Sequence, residues 1–545
     1  YKARTRVYRN PYNKGEIMKS KDDSVMTLNV KRTLVVGFAF MGIMCFWEVY
    51  DYIMPLILNR VFGLNATQYG LVMGLDNLLA IFLLPFFGHL SDKYTKAKYG
   101  RRTTFIVIGT LLAVVFMVVM VVIENVQFEK VMAASITDPQ VLVDKGFLSA
   151  DAWSGEVQQL WQQVSAAGGI DKASDVLKGN DLVAFNNFLS SFYSAQEELA
   201  ASVTKTQPAI FICFIIALLG VLVSMSSYRS PAIALMPDVT PKPLRSQANA
   251  IITFMGGAGG LASIILYTLL AKQRYQSHLA LFFTLSCVMI VMLIAFLCTV
   301  RENKFVAERL EEEKKLNVVD EEEVATYSRL PKEKIFSFVL ILGTVFMWFM
   351  GWNAIKTHLS TYATNVLKME DSFVGIINIL NGAGGAIALL PVALMAGKLG
   401  RKKTILIGVV IAVAAFIPCI FLNDGSFDSN AVLLKVAFTA CFLIAGFGLV
   451  IINVNTLPMV TELAKGSNVG QYTGYYYVAS MTAQAITPFF AGLILDAVPE
   501  GGESMIFVYG VCCIAVAFFT MLFTKHGDNK PEKKKKVIEY FAEED

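Results

Sequence analysis

The stretch "GHLSDKYTKAKYGRRTTFIVIG", Gly88 to Gly109, decides the fold, because it is a short charged loop between two long apolar runs. A shorter version of it, "GKLGRKKTILIG", occupies Gly397 to Gly408. Both copies place a glycine, then basic residues, then a threonine at the start of the next apolar run. This repetition indicates that the chain consists of two related halves.

The composition of the whole chain predicts the solvent in which it folds. Of the 545 residues, 55% are hydrophobic and 17% are charged, and the net charge is only +4. A soluble chain is about one quarter charged, so this composition indicates a multi-pass membrane protein whose main partner is the lipid bilayer. The basic residues lie in short loops and tails, which gives no support to nucleic-acid binding.

Eight cysteines all fall inside apolar runs, and none belongs to a closely spaced metal-binding pair. A disulfide framework and a structural zinc site are therefore not expected. The cysteines are Cys45, Cys213, Cys287, Cys298, Cys419, Cys441, Cys512 and Cys513.

The apolar runs predict an all-α fold, since a helix of about 20 apolar residues crosses the hydrocarbon core. Twelve transmembrane helices are expected. Their ranges are 33–58, 69–90, 102–124, 208–236, 247–271, 278–299, 335–363, 373–396, 404–422, 432–460, 471–495 and 504–524.

Loop charges predict the orientation. With twelve spans, the segments rich in lysine and arginine all fall on one side, while the long polar segment on the other side is net acidic. Because basic loops stay in the cytoplasm, both termini are expected there, in a plasma or inner membrane.

Two polar segments divide the spans. One is a mixed-charge linker between spans six and seven, and the other is a long insert between spans three and four. The expected organisation is a cytoplasmic tail, a six-helix bundle containing the extracytoplasmic insert, a cytoplasmic linker, a second six-helix bundle and a cytoplasmic tail. The ranges are 1–32, 33–300 with the insert at 125–207, 301–334, 335–524 and 525–545.

The insert contains two amphipathic helical patterns. One apolar face combines Trp153, Val157, Leu160, Trp161 and Val164, and a second combines Leu182, Phe185, Leu189 and Phe192. These patterns predict either a small helical cap over the outer mouth of the protein or an insertion packed only on itself.

The loop that opens this section resembles the signature of the major facilitator superfamily. That signature is a glycine, an aspartate and a basic residue, followed by Gly-Arg-Arg, and here it reads Gly88, Asp92, Lys93, Gly100, Arg101 and Arg102. The form "KYGRR" is similar to the glycoside–cation symporter branch, including its sucrose–proton members. The segment "NTLPMVTELAKGSNVGQYTGYYYVAS", 455–480, also resembles the corresponding loop of that branch. Span four departs from the branch pattern: Ile233 stands where the family arginine would be, and Arg229 lies one turn earlier.

The resemblance implies two six-helix bundles that rock around a central cavity. Spans one, four, seven and ten would line the cavity, and spans two, five, eight and eleven would join the bundles. Span five would then meet span eight through small residues, which let helices approach closely in lipid; static packing within each bundle is the alternative. The glycines concerned are Gly256, Gly257, Gly259 and Gly260 in span five and Gly382, Gly384 and Gly385 in span eight.

The resemblance also implies a gating role for the loop. Gly88, Asp92, Gly100, Arg101 and Arg102 would form a charge network that locks the outward-open state, and Asp238 at the inner end of span four would join it. Solvated loop charge is the alternative.

Ionisable residues inside the spans are expensive in lipid and are candidates for function. Arg229 lies ~13 Å deeper than Asp238 at 1.5 Å per residue, close to the middle of the membrane. Its guanidinium cannot lose its proton, so it needs a carboxylate or a polar substrate, unless it snorkels to the surface.

Span one supplies acidic partners for this arginine. Glu48 and Asp51 are three residues apart and share a helix face; two carboxylates this close do not both ionise easily, so one can carry a proton. Alternatively, Asp51 lies at the outer end of the span and contacts water. Asp76 in span two is either a further coupling carboxylate or a helix–helix hydrogen-bond partner. Sodium-coupled relatives carry paired aspartates just before the loop glycine, where this chain has the apolar "AIFLLPFFG", so proton coupling is favoured over sodium.

Side chains able to hold a polar solute lie on several spans. Tryptophans offer flat apolar faces, amides bond hydroxyl groups, and pockets combine the two. Lys356 and His358 are expected at the outer membrane interface. The predicted substrate-binding residues are Trp47, Arg229, Trp348, Trp352, Asn353, Asn378, Asn381, Asn453, Asn455 and Gln484.

These features predict a monomeric secondary transporter that couples inward proton flow to uptake of a small molecule, a sugar or glycoside. Glu48 would bind the proton, and Arg229 would exchange between Glu48 and the substrate. The alternatives are transport of another solute, such as an organic acid or drug, by symport or antiport, and a non-transporting receptor that uses the insert. No nucleophile motif or phosphate loop indicates an enzyme, and no cofactor is expected.

Overall fold

The computed structural model describes residues 28–93, 99–241, 245–271, 273–315, 332–427, 430–463, 469–498 and 502–527. Within these ranges the regular structure is helical. The first half contains α1 (Val30–Leu56), α2 (Ala66–Lys93), α3 (Arg101–Ala133), α4 (Pro139–Asp144), α5 (Gly155–Ala166), α6 (Ala173–Val176), α7 (Asn180–Thr206), α8 (Pro208–Val239), α9 (Arg245–Leu270) and α10 (Leu279–Thr299). The second half follows with α11 (Glu302–Lys315), α12 (Lys332–Asn365), α13 (Asp371–Leu399), α14 (Arg401–Phe421), α15 (Ala431–Leu463), α16 (Val469–Asp496) and α17 (Met505–Phe523).

Each of the twelve predicted spans coincides with one long helix, which confirms the all-α membrane fold. Among the described residues, ten helices are long and apolar enough to cross a membrane. The other two, α9 and α13, contribute the shorter apolar stretches Phe254–Leu270 and Phe373–Gly382.

The two halves repeat the same packing. In the first bundle α1 packs along α9 and α10, and in the second α12 packs along α16 and α17. Likewise α3 packs on α8 and α10, as α14 packs on α15 and α17. The repeated loop sequence therefore reflects a repeated six-helix unit.

The bundles meet through α2 with α16 and through α9 with α13, which are the span pairs that the resemblance implied. The glycines expected at the α9–α13 contact lie elsewhere. A Cβ on Gly259 would lie 2.2 Å from the carbonyl oxygen of Met41 in α1, and one on Gly260 would lie 3.1 Å from Glu48 Cγ. On α13, Gly385 faces Val450 of α15. Five of the seven glycines therefore pack within their own bundles, and a Cβ on Gly257 or Gly382 would meet no atom within 4 Å, which corrects the predicted interface.

Other glycines let the bundles approach each other. A Cβ on Gly70 would lie 2.1 Å from Pro488 O, and one on Gly74 would lie 2.2 Å from Ala485 O. In α16, Gly492 approaches the backbone of Ala66 in the same way. Close backbone contact between α2 and α16 requires small residues at these three positions.

The insert forms a separate small helical unit. Helix α3 continues nine residues past its predicted end and carries Val131 into an apolar core that α4 to α7 complete. The predicted apolar faces are confirmed, because Leu160, Val164, Phe185 and Phe192 are buried in this core. We call the end of the bundles that carries this unit the insert side and the end that carries the Gly88–Arg102 loop the motif side.

Polar contacts close the bundles together on the insert side. Asp496 at the end of α16 accepts hydrogen bonds from the backbone of Ala66 and Thr67 at the start of α2, at 3.0 and 2.9 Å. Arg274 of the first bundle donates to Asn365 of the second at 3.0 Å. On the same side, Arg60 of the first bundle donates to Thr364 Oγ1 of the second at 3.0 Å.

The linker helix α11 is fixed to the first bundle at both ends. The carboxylate of Glu302 accepts from the backbone nitrogens of Arg102 and Thr103 at the start of α3, at 3.0 and 2.7 Å. Near its other end, Glu312 forms a two-point ion pair with the buried Arg32 of α1, at 3.1 and 2.9 Å. Helix α11 therefore belongs structurally to the first bundle.

Candidate functional site

A polar cavity of about 220 Å³ lies between the bundles. Helices α1, α2 and α8 line it from the first bundle, and α12 and α16 from the second. Its lining residues are Met44, Trp47, Asp51, Met73, Asp76, Asn77, Ala80, Arg229, Asn353, Lys356, Thr357, Met481, Gln484 and Pro488. The α15 helix, which is predicted span ten, contributes none of these, whereas α2 and α16 do, so the expected set of cavity helices is corrected.

Arg229 lines this cavity, as its predicted depth required. Its guanidinium carbon lies 5.7 Å from the centre of the Trp47 ring. Among the described residues, no carboxylate forms an ion pair with this guanidinium, that is, lies within 4 Å of its nitrogens. Several guanidinium N–H groups are therefore available to a solute in the cavity.

Asp51 forms an ion pair across the cavity with Lys356, at 2.5 Å between Oδ2 and Nζ. The pair joins α1 of the first bundle to α12 of the second. Lys356 was expected at the membrane interface, and the structure corrects this. Lys356 lies in the cavity because its face of α12 is turned toward the other bundle. The sequence pattern of one span does not define this rotation of the helix.

Glu48 lies in a smaller adjoining pocket of about 30 Å³, which Asp51 and Lys356 also line. Its side chain packs against Gly260 of α9. The central cavity contains Arg229 but not Glu48, so the direct Arg229–Glu48 exchange predicted from the sequence has no corresponding contact in this structure.

Asp76 is the second carboxylate in the central cavity. Its Oδ1 accepts a hydrogen bond of 2.8 Å from the side chain of Asn77, which lines the same cavity. Asp76 therefore faces the solute space, and this hydrogen bond joins it to its own helix and not to a neighbouring one.

The predicted substrate-binding residues separate into two groups. Trp47, Asn353 and Gln484 line the central cavity, and Asn378 lines the adjoining pocket and bonds Tyr267 at 3.4 Å. The cavity has further polar walls that sequence reasoning missed, from Asn77 and Thr357.

The remaining predicted residues lie within the second bundle. Trp348 is fully buried and donates to Asn453 at 3.0 Å, and Trp352 packs on Phe442. Asn455 donates to the backbone of its own helix, and the side chain of Asn381 packs against Gly446. They line neither pocket because the members on α12 and α13 contact α15 inside the second bundle.

His358 joins the bundles instead of lying at the membrane surface as expected. It is completely buried, and its Nδ1 shares a hydrogen bond of 2.6 Å with the hydroxyl of Tyr69 in α2. The same hydroxyl lies 3.2 Å from Thr361 Oγ1. This cluster is a further polar contact between the bundles on the insert side.

The charged loop on the motif side forms a network of residues that the resemblance named, and its gating role stays a prediction. Arg102 is buried and bonds both Asp92 and Asp238, the latter at 2.9 Å. Arg101 reaches the same oxygen of Asp238, also at 2.9 Å. Gly100 has φ +118°, and a Cβ there would lie 2.2 Å from Glu302, so glycine is required at this turn.

This motif network connects α2, α3 and α8 of one bundle with the linker helix. The described contacts of Arg102, Asp92 and Asp238 stay within that unit. Gly88 supports it through its carbonyl oxygen, which accepts from Ser91 and Arg102. The network is formed while the insert side is closed.

Two pseudo-symmetric six-helix bundles around a charged central cavity define a class of protein, the multi-pass membrane transporters of small molecules. The model of the Major Facilitator Superfamily matches residues 36–136, 199–434 and 364–542. The chain belongs to this superfamily. The expected fold and family are confirmed.

Solved structures show the same fold over nearly the whole chain. A bacterial homologue of the iron transporter ferroportin has 13% identity and a TM-score of 0.55, covering 91% of this chain and 98% of its own. A variant of the nucleoside transporter NupG has 11% identity and a TM-score of 0.56, over 91% and 100%. A D-xylose–proton symporter has 13% identity and a TM-score of 0.54, over 91% and 98%. At these identities the similarity concerns the fold alone.

One curated relative matches part of the chain. The α-ketoglutarate permease of Escherichia coli (strain K12) is 27% identical over 139 residues, which is 25% of this chain. The match spans 31% of the permease, about one third of its length.

Proposed function

We propose that the protein is a proton-coupled symporter of a neutral polar solute, a sugar or glycoside. The supporting observation is the charge balance of the two adjoining pockets. They contain the cations Arg229 and Lys356 and the three carboxyl groups of Glu48, Asp51 and Asp76. One bound proton makes this set neutral, and a neutral solute leaves it neutral, which avoids an uncompensated charge in the membrane.

In this proposal the carboxyl groups carry the proton and Arg229 binds the solute. Asp51 is the central group, because it lines both pockets and pairs with Lys356 across the bundles. Protonation of Asp51 would release Lys356 and weaken the insert-side closure. The Trp47 ring would supply a flat apolar face, and the N–H groups of Arg229 would donate to solute hydroxyls.

The proposed orientation places the insert side outside the cell and both termini in the cytoplasm of a plasma or inner membrane. The basic loops support it, since they lie on the motif side. The structure would then be closed to the outside, and rocking of the bundles would break the contacts of α2 with α16. A single chain lines the whole cavity, so a monomer is sufficient.

A second candidate is an organic acid. Arg229 and Lys356 both line the cavity, and either cation suits a carboxylate. The partial similarity to the α-ketoglutarate permease supports the same class of solute. An anion would require an additional proton to keep the pockets neutral.

Uptake into proteoliposomes under an imposed inward proton gradient tests the proposal. Sugars, glycosides and organic acids are screened at pH 6 outside and pH 8 inside. We expect a sugar or glycoside to accumulate, and we expect Asp51→Asn to abolish this accumulation. The matched control is Glu156→Gln, an exposed insert carboxylate, which should accumulate solute like the parent protein. Accumulation of organic acids alone would overturn the proposed solute class, and full accumulation by Asp51→Asn would overturn its role.

A further inference from the structure

A second cavity, of about 130 Å³, lies on the insert side between the insert and the second bundle. It is several times larger than the roughly 30 Å³ that one water occupies in the liquid. The insert contributes one wall with Asn186, Leu189 and Tyr193. The charged lining comes from both bundles: the basic side chains of Arg60, Arg274, Lys368 and Lys435, and the acidic ones of Glu370 and Asp424.

Two basic side chains of this cavity lie beyond the distance of a tight hydrogen bond from the carboxylates they pair with. Arg274 lies 3.5 Å from Glu197, and Lys435 lies 3.6 Å from Glu370, whereas a tight charge-assisted hydrogen bond is about 2.7–2.9 Å. The Nε of Arg274 is buried and has no hydrogen-bond acceptor among the described residues. The side chains that line the cavity therefore carry four positive and two negative charges, and the Nε of Arg274 adds unused donor capacity.

Two of these cations come from different bundles and meet at one aromatic ring of the insert. The guanidinium of Arg274 lies 3.6 Å from the centre of the Tyr193 ring, and the Lys368 ammonium lies 4.8 Å from it. Lys368 also donates to Ser190 of the insert at 3.0 Å. The insert thus holds two like charges close together across the line where the bundles must separate.

The charged form of Lys368 is disfavoured at this position, chiefly by burial and then by the charge of Arg274. Burial and the charge of Arg274 lower its pKa to about 8, against the opposing effect of nearby carboxylates. The groups that face it are the ring and hydroxyl of the insert, the arginine of the first bundle and three carboxylates, namely Tyr193, Ser190, Arg274, Asp424, Glu503 and Glu197. A bound anion would offset the repulsion between Arg274 and Lys368.

We propose that this cavity binds a small divalent oxyanion, which bridges Arg274 of the first bundle and Lys368 of the second and stabilises the closed insert side. Phosphate, sulfate and small dicarboxylates share the required chemistry. The proposal goes beyond the transported solute, because the ligand would regulate closure from a site outside the central cavity.

The test measures thermal unfolding of the full chain in detergent with sulfate, phosphate or succinate, against chloride at equal ionic strength and pH 7. We expect a saturable rise in melting temperature with at least one divalent anion. Lys368→Gln, which keeps a donor for Ser190, should weaken the apparent affinity about 10-fold or more, as expected for the loss of one charged hydrogen bond. Lys178→Gln removes an exposed lysine of the same insert and should bind like the parent protein.

Two variants separate this site from the central cavity. Arg229→Gln should keep the anion effect, whereas Arg274→Gln should lose it. Loss of the effect in Arg229→Gln with retention in Lys368→Gln would place the anion in the central cavity and overturn the proposal. Equal stabilisation of Lys368→Gln and Lys178→Gln, or no saturable effect on the parent protein, would also overturn it. None of these outcomes depends on whether a sugar is transported.

Discussion

At the scale of single residues, two cations from different bundles, Arg229 and Lys356, line the central cavity. Counting residues back from Asp238 placed Arg229 near the middle of the membrane, and it lines the central cavity. The same counting placed Lys356 near a helix end, where an interface role was the natural interpretation. Its actual partner, Asp51, belongs to the other bundle, and the rotation of α12 about its axis is a property of the packed bundles that one sequence does not define.

The Asp51–Lys356 pair is expected to favour the closed insert side. Lys356→Gln should increase the labelling rate of a cysteine introduced at Thr357 several-fold, when a membrane-impermeant maleimide reaches the protein from the insert side. A partly exposed ion pair contributes on the order of 1 kcal/mol, which corresponds to about a fivefold shift. Exposed native cysteines are replaced beforehand in this experiment.

A double-mutant cycle separates the pair from the individual side chains. Asp51→Asn combined with Lys356→Gln should label no faster than either single variant, since the same interaction is removed once. Independent, additive increases would show that the pair does not hold the bundles together.

The low pKa of Lys368, about 8, predicts a pH-dependent stability. An unfolded lysine has a pKa of about 10.4, so the folded chain releases this proton more readily. Charged Lys368 therefore lowers the free energy of unfolding. This loss of stability is fully present below pH 8 and disappears as the pH rises from 8 toward 10.4. In chloride buffer, Lys368→Gln should therefore melt at a higher temperature than the parent protein at pH 7, and this advantage should shrink by pH 10. A constant difference across that range would contradict the assignment.

At the scale of helices, the sequence predicted nearly every boundary, and the resemblance implied the helix pairs that join the bundles, but the glycines predicted at one of these contacts were wrong. Apolar length and loop charge are local properties, so each predicted span coincides with a helix to within a few residues, apart from the extension of α3 into the insert. Helix pairing depends on crossing angles, and small residues occur on many faces. Three of the four α9 glycines pack on α1, whereas Gly70, Gly74 and Gly492 bring α2 and α16 together.

Gly74→Ala is expected to weaken the contact between α2 and α16. The added Cβ would lie 2.2 Å from a backbone oxygen of Ala485, and overpacking of this kind costs about 1–3 kcal/mol. The variant should shift the protein away from the closed insert side, measured as a longer distance between spin labels on the insert-side ends of α2 and α16. Gly382→Ala is the control, because no atom lies within 4 Å of the Cβ it would add. An unchanged distance distribution in Gly74→Ala would show that this approach is not needed for closure.

At the scale of the whole molecule, duplication and charge balance explain the architecture. The repeated loop predicted two related halves, and the repeated helix pairs confirm them. The walls of the cavity could not be derived in detail from the sequence, and α16 lines it in place of α15. A contact between two halves depends on how the rigid bundles are tilted, which a single sequence does not define. The insert adds a third unit that touches both bundles at Tyr193.

The most direct test of proton-coupled transport of a neutral solute is the internal pH of proteoliposomes after solute addition, without an imposed gradient. A sugar or glycoside that accumulates in the uptake screen should acidify the interior, because each inward solute brings a proton with it. Acidification should disappear in Asp51→Asn and persist in Glu156→Gln. Solute entry without a change of internal pH, or acidification by organic acids alone, would contradict the proposed mechanism.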